Sequence, residues 1–353
     1  MTQIIADVGA NHNGSLAIAR NYVYSCKEAG AHVVKFQTYS ADTLYSKNTE
    51  RIDKFENPYN IIKKNEMPRS WLKELKDYSD EVGIEFMSTP FDFEAVEELV
   101  EIGVKRLKIS SFEATDKRFV SYAAQMQLPL IISTGLCSLN EILEIYDWVR
   151  AVSDKELVFL HCMSSYPTKK TDMNTDAIEK IYDFLDDRRN IYKVHKHGGP
   201  WTEVGLSDHS IGIESSIYAA VMNEPVIIEK HVTFGRSVAG PDHGHALEMS
   251  DLRKMVSLIN CLEFPEIGKN EKTWPFLEND KRNMEVEGDM WKARRSIVAS
   301  ANIKKGESLT WDNVTTKRPG IGIPAKLIEV TVGKIALQDI EKDEIISEEL
   351  VNG

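Results

Sequence analysis

Two histidines, two lysines and two carboxylates stand out because each closes, interrupts or closely follows a short apolar run. His209 ends VGLSDH and His231 ends VIIEKH. If those runs are neighbouring strands, two neutral imidazole nitrogens converge on one ion. With water and substrate oxygens they suit Mn²⁺, Mg²⁺ or Co²⁺ better than a closed zinc site. The spacing equally fits two strand-end histidines with separate hydrogen-bonded partners. His12, His161, His195, His197, His243 and His245 are alternatives, and His195 and His197 fall in the loop-like VHKHGGPW. Lys35 and Lys108 each break an apolar stretch, and a buried lysine needs an anion. That anion is a protein carboxylate, Asp7 or Glu113, or a bound phosphate or carboxylate for which lysine is a point charge. Ser111 and Ser133 add donors for a small dianion. Glu113 and Asp7 are also candidates for proton transfer, because apolar neighbours raise a carboxyl pKa towards neutrality. Tyr166, before Pro167, can shape a pocket wall. Asp242 lies in a Gly-Pro-Asp-His turn just after the run that ends at His231.

The elements that must position these side chains alternate between strand-like and helix-like patterns, which argues for a parallel sheet. The strand candidates are Ile4–Val8, His32–Gln37, Ile84–Ser88, Arg106–Ser110, Leu130–Ser133, Leu157–Cys162, Glu203–Ser207 and Val226–His231. Helical patterns between them include Ser15–Ala29, Pro68–Val82, Phe91–Ile102, Ser138–Val152, Thr175–Leu185 and Ile213–Met222. Ser138 with Glu141 forms a capping-box pattern. Eight such units over about 260 residues predict an α/β fold, a (β/α)₈ barrel, whose active face is the C-terminal ends of the strands. A doubly wound open sheet is the rival, but its glycine fingerprint is missing. Every predicted strand ends in polar residues, and a purely structural barrel has no reason for that.

The barrel is expected over 1–267, a linker over 268–292 and a small β-rich domain over 293–353. Tyr39–Met67 reads as a long loop over the active face. Arg294–Ala299, Val314–Lys317 and Lys334–Ala336 are β-like, and Ala301–Ser308 resembles Gln338–Ser347 as a weak internal duplication. The net charge of −12 disfavours nucleic acid and anionic membranes as partners. No apolar run approaches the roughly 18–20 residues that cross a bilayer. MTQIIADVGA lacks a basic n-region, so a cytoplasmic location is expected. The four cysteines form no CxxC pair, and Cys26, Cys162 and Cys261 read as buried free thiols.

The phrases GANHNGSL, VVKFQTY, STPF, LKISSFE, IISTG, LHCMSSYPT, VGLSDHS, EKHVTFGRSVAGPDH, IKKGE and KRPGIGI occur in this order along nearly the whole chain. As a co-linear set they resemble the sialic acid synthase family, which includes N-acetylneuraminate, legionaminate and pseudaminate synthases and spore-coat polysaccharide proteins. The resemblance implies condensation of phosphoenolpyruvate with an N-acetylated amino sugar, assisted by a divalent metal, Mn²⁺ before Mg²⁺ or Co²⁺. It implies His209 and His231 as metal ligands. It places Lys35, Thr89, Lys108, Ser111, Ser133 and Ser207 around phosphoenolpyruvate, with Gln37 close by, and Glu113 at the reacting centre with Asp7 and Lys108 also catalytic. Tyr166 and Asp242 fall at the sugar end. Arg318, in a C-terminal antifreeze-like (SAF) domain, is expected to reach the active site of a partner subunit in a domain-swapped homodimer.

Two positions depart from the family pattern. Asp7 stands where Glu is usual, and Phe112 stands where the sialate phrase has Gly. The Ser-Phe-Glu phrase and Asp172-Met173-Asn174 resemble pseudaminate synthases, whereas Gly-Pro-Asp-His resembles the neuraminate and spore-coat branches, so the acceptor sugar stays open. Rival chemistries are a Schiff-base aldolase on Lys108 or Lys35, a non-catalytic sugar-binding relative, and a sugar-phosphate synthase of related mechanism.

Overall fold

Parallel pairing joins eight strands in the order β3-β2-β1-β8-β7-β6-β5-β4, with β3 and β4 in contact at the closing seam. They are β1 (Gln3–Asp7), β2 (Val33–Thr38), β3 (Glu85–Pro90), β4 (Leu107–Ile109), β5 (Leu130–Ser133), β6 (Leu157–Cys162), β7 (Thr202–Asp208) and β8 (Ile227–Thr233). The structure is a computed structural model and describes residues 2–47, 58–191, 202–261 and 287–352, without the side chains of 186–191 and 289. This is the predicted (β/α)₈ barrel. β8 runs two residues beyond the expected His231, to Thr233, because Val232 and Thr233 gain a partner in β9 (Leu247–Glu248).

Strand periodicity explains the barrel's interior, since side chains alternate between faces. Ile5, Val33, Met87, Ile131, Val158 and Ile227 point inward and pack into one buried cluster. The other face of each strand packs on the surrounding helices in a larger core that includes Ile4, Val34, Phe86 and Phe159. Two residues beyond five of those inward positions, on the same face, come Asp7, Lys35, Thr89, Ser133 and Glu229. Five of the staves therefore carry an apolar residue in the floor and a polar one at the mouth, whereas β6 continues with Leu160. Gly205 of β7 makes this closure possible, because a Cβ there would lie 2.6 Å from the Ile227 carbonyl oxygen and 2.7 Å from Leu160.

The helices follow their caps. Ser15 caps α1 (Leu16–Glu28) by accepting from the Ile18 N–H. α2 (Ala41–Leu44), α3 (Pro58–Lys64) and α4 (Trp71–Val82) follow β2. Asp92 caps α5 (Phe93–Glu101) and Asp116 caps α6 (Lys117–Gln125). The predicted capping box of Ser138 and Glu141 opens α7 (Leu139–Arg150). α8 (Ala177–Ile191), α9 (Glu214–Met222) and α10 (Met249–Cys261) complete the outer ring. Part of the expected loop Tyr39–Met67 is thus helical, while 48–57 lie outside the described residues, as do His195, His197 and 268–286 of the expected linker. Cys26, Cys137 and Cys162 are buried and Cys261 is exposed, because Cys261 ends α10 on its outer side. The apolar context of Cys261 was a poor guide there. No helix among the described residues is long and apolar enough to cross a membrane.

The C-terminal module pairs β10 (Ser296–Ala299) with antiparallel β11 (Val314–Lys317) around its own core of Ile297, Ile303, Leu309, Ile328 and Ile340. The expected strand Lys334–Ala336 forms isolated bridges instead, Ile335 to Ser308 and Ala336 to Val351. The two similar phrases pair with each other, Ile303 and Ile340 exchanging both backbone hydrogen bonds at 2.9 and 2.8 Å. The module lies on its own chain's barrel. The Arg318 N–H donates to the Leu44 carbonyl (2.9 Å), and the Ser46 N–H donates to the Arg318 carbonyl (2.9 Å). Lys117–Glu329 and Lys326–Glu144 ion pairs flank this contact.

Candidate active site

The strand ends enclose a cavity of about 380 Å³ of atom-free space, part of it open to solvent. Eleven predicted residues line it: Asp7, Lys35, Gln37, Thr89, Lys108, Ser111, Ser133, Tyr166, Ser207, His209 and His231. Glu113 and Arg318 are not among its lining residues; they pair with each other behind Ser110 and Phe112, which are. Asp242 lies beside the β1 loop, where it accepts from the Ala10 N–H at 2.8 Å.

One end of the cavity is a network of buried charges. Lys35 Nζ donates to Asp7 (2.7 Å) and Thr89 Oγ1 (3.3 Å) and sits 3.8 Å from Glu229. Lys108 Nζ donates to Ser133 Oγ (2.6 Å) and the Ile109 carbonyl (3.1 Å) and sits 3.6 Å from Glu229. Glu229 thus bridges the lysines, accepts from Ser207 (3.2 Å), and keeps its other oxygen without a hydrogen-bond partner. Sequence reasoning missed Glu229 as a site member, although period-two alternation back from inward-facing His231 points to it. Lys230, between them, faces outward onto Asp208 at 2.8 Å.

Electrostatics separates the two lysines. Burial disfavours charge on Lys35, but Asp7 and Glu229 outweigh it, and its pKa rises above 10.5. Burial lowers the pKa of Lys108, with Glu229 offsetting part of the effect and Lys35 adding to it. Neither candidate carboxyl is raised, contrary to expectation. Burial would raise Asp7, but Lys35 and His231 bring it down to about 2. Burial would likewise raise Glu113, but Arg318 and Arg295 hold it below its ordinary 4.5. Apolar neighbours lose to paired cations at both positions.

The other end is aromatic and largely neutral. His209 shares a hydrogen bond between Nδ1 and the Met163 carbonyl (2.8 Å), the partner that fixes a ligating imidazole with Nε2 free. Its ring centre is 5.7 Å from that of His231, and Tyr166 packs on it at 4.1 Å, tilted by 34°. Burial lowers the His209 pKa. His245, carried on the loop after β8, sits 4.9 Å ring to ring from His231. Burial and the imidazoles of His231 and His209 push it down to about 2.

Across the mouth lies the C-terminal module's clasp. Arg318 Nη2 donates to both oxygens of Glu113 (2.8 and 2.9 Å), and Arg295 Nε donates to Oε1 (3.2 Å). Ser110 donates to the same carboxylate. Glu113 therefore pairs with arginines from the far end of the chain and not with Lys108. The Arg318 guanidinium is 4.8 Å from the Phe112 ring, with Phe91 and Tyr45 at 5.6 and 5.7 Å. That gives Phe112 a role a glycine cannot fill, a ring face beneath a cation. Arg295 had no signature in the sequence beyond its place in an Arg-Arg pair. The contact runs within one chain, where a partner's barrel was expected.

Comparison with known proteins agrees with this architecture. Residues 22–269 match the NeuB family and residues 294–352 match the SAF domain. The chain is 35% identical over 342 residues to the N,N'-diacetyllegionaminic acid synthase of Legionella pneumophila, covering 94% of this chain and 89% of that one. It is 31% identical over 353 residues to a pseudaminic acid synthase of Campylobacter jejuni, covering 98% and 95%. The crystal structure of the spore coat polysaccharide biosynthesis protein SpsE of Bacillus subtilis superposes with a TM-score of 0.79 at 28% identity, over 100% of this chain and 95% of that one. The chain, a (β/α)₈ barrel followed by an SAF domain, belongs to the NeuB family.

Proposed function

We propose that the chain is a nonulosonic acid synthase that condenses phosphoenolpyruvate with an N-acetylated amino sugar and water and releases phosphate. The acceptor is N-acetylmannosamine or a 2,4-diacetamido-trideoxyhexose. The observation that carries this reading is a pair of buried lysines, Lys35 and Lys108, facing one cavity with Glu229 shared between them. Together with Thr89, Ser111, Ser133 and Ser207 they form a donor set suited to the phosphate and carboxylate of phosphoenolpyruvate. The names of the relatives support the product class.

In the proposed reaction, C3 of phosphoenolpyruvate bonds to the aldehyde carbon of the open-chain sugar and C2 becomes cationic. Water adds at C2 and gives up a proton, and the former aldehyde oxygen takes one to become a hydroxyl. The C2–O bond breaks, and inorganic phosphate leaves as the remaining C2 hydroxyl loses its proton and becomes the keto group. Lys35 and Lys108 hold the negative groups in place through both changes, a preorganised charge of the kind that often dominates catalysis. Glu113, kept ionised by its arginines, fixes Arg318 and Ser110 beside the cavity. Asp7 orients Lys35 on one side and, at 3.5 Å, His231 on the other. His209 and His231 would hold the divalent metal, Mn²⁺ before Mg²⁺ or Co²⁺, and the unpartnered buried Nδ1 of His231 fits such a ligand. When bound, that ion supplies Lewis-acid polarisation of the aldehyde. Tyr166 and Arg318 face the sugar. A cytoplasmic location and an exchanged homodimer belong to the same proposal: the Glu113–Arg318 pair can equally form between two chains, and sedimentation at the monomer mass would discard the exchange.

Phosphate release from phosphoenolpyruvate, measured with Mn²⁺ across N-acetylmannosamine and the two 2,4-diacetamido sugars of the legionaminate and pseudaminate routes, tests the reading. Release with one of them is expected. No release with any, from folded and metal-supplied protein, sinks it. The lowered pKa of Lys108 favours one second reading, a Schiff-base aldolase. Borohydride trapping of a carbonyl substrate on Lys108 without metal would establish that chemistry instead.

A further inference from the structure

The loop after β8 carries an unassigned buried histidine. His245 is 6% exposed, and its Nε2 has no hydrogen-bond partner. The same is true of Nδ1 of His231, which is 7% exposed. A buried nitrogen left without a partner is costly and calls for an explanation. The two residues have one in common. A ligand atom each from His231, Asp242 and His245 lies within 4.8 Å of the other two.

Three further observations shape this group into a cradle. The Ala10 N–H donates to Asp242 Oδ2 at 2.8 Å, which fixes the carboxylate as an outer hydrogen bond fixes a metal ligand. Gly9, at φ +53°, lines the space between: a Cβ there would lie 2.4 Å from Asp242 Oδ2 and 3.1 Å from His231 Nδ1. The pairing of Leu247 with Val232 returns the loop to the end of β8, and so brings His245 beside His231. His243, by contrast, has both ring nitrogens engaged, with Thr233 (2.8 Å) and Asn13 (3.2 Å), and stays out of the group.

We propose that His231, Asp242 and His245 form a two-histidine, one-carboxylate site for a divalent transition metal such as Mn²⁺, Fe²⁺ or Co²⁺, in which Asp242 and His245 are ligands that the family resemblance does not imply and His209 can fill one of the open positions. Two imidazoles and one carboxylate with open positions are a set that favours these ions over Ca²⁺ or a closed zinc centre. His231 is shared with the pair assigned under the synthase reading, so the inference deepens that reading and rests on it for the ion's use, but not for its binding. A third protein ligand keeps the ion in place without substrate.

The test is Mn²⁺ binding to the full chain without phosphoenolpyruvate or sugar, followed by the loss of the free-ion EPR signal. His245→Gln and Asp242→Asn are each expected to weaken binding at least ten-fold, and Gly9→Ala to do the same by filling the cradle. Wild-type affinity in His245→Gln overturns the site. Should a variant fail to fold, the wild-type protein still decides. In a crystal loaded with Mn²⁺, an anomalous peak bonded to His245 upholds the proposal, and one bonded to His209 and His231 with His245 left aside overturns it. The synthase reading fails separately. A chain that releases no phosphate yet loses Mn²⁺ on replacing His245 keeps this site. A chain that turns over with undiminished Mn²⁺ affinity in His245→Gln keeps the synthase and loses the site.

Discussion

The two ends of the cavity are built on opposite plans. At the lysine end nearly every charged group already has a partner: Lys35 holds Asp7, and Lys108 and Lys35 share Glu229. At the histidine end aromatic rings pack face and edge against one another, and two buried nitrogens have no hydrogen-bond partner. The first end answers the cost of burying charge with opposite charge inside the protein, so it keeps its form when empty. The second leaves part of its hydrogen bonding to be completed from outside. In the proposed synthase reaction the anionic substrate would meet the first surface and the carbonyl substrate the second.

The contrast predicts where substitution costs most. Lys35→Met leaves Asp7 buried beside no cation within the pair, and removing one partner of a buried ion pair costs about 3–5 kcal/mol. Denaturant unfolding should show that loss, and Lys35→Met with Asp7→Asn should recover part of it. An unchanged midpoint in the single variant would mean the charges are not mutually dependent. A smaller effect is expected at the clasp. Arg318→Ala removes the bidentate contact while Arg295 still covers Glu113; under the proposed role it also removes one charge-assisted hydrogen bond to the sugar, about 1.5–3 kcal/mol, so the sugar KM should rise roughly ten- to hundred-fold. The phosphoenolpyruvate KM should stay nearly constant, and equal loss in both would remove Arg318 from the sugar end. The smallest effect is in acid. Because Glu113 titrates lower when folded than when unfolded, its stabilisation is complete above its ordinary 4.5 and fades as pH falls through the folded value. Glu113→Gln should therefore melt lower than the wild-type chain at pH 7, with the gap narrowing below pH 4.5. A constant gap would show that the arginines do not depend on that carboxylate's charge.

Much of this was legible in the sequence wherever a strand was involved. Lys35 and Lys108 show themselves by interrupting apolar runs, and His209 and His231 by ending them. The period of two that sets them facing inward also selects Glu229, which the strand pattern alone therefore marks. The partners are another matter. Which carboxylate meets which cation depends on the closure of the barrel and on a module far along the chain. Asp7 against Lys35 and Glu113 against Arg318 and Arg295 cannot be told from Asp7 and Glu113 both meeting lysines. Loops carry no period at all, and His245 among nine histidines has nothing in its neighbours to mark it. Cys261 failed for a related reason, since apolar neighbours say little at the end of a helix with one face open.

The hydrogen bonds that hold Arg318 to Leu44 and Ser46 are made by main chain alone. A latch of that kind is indifferent to the side chain it carries. Evolution can exchange the residue at 318, and an experimenter can delete it, while the cover still seats in the same register over the mouth. The side chain presented at position 318 and the seating of the module are thereby separable traits, the first open to single substitutions and the second protected from them.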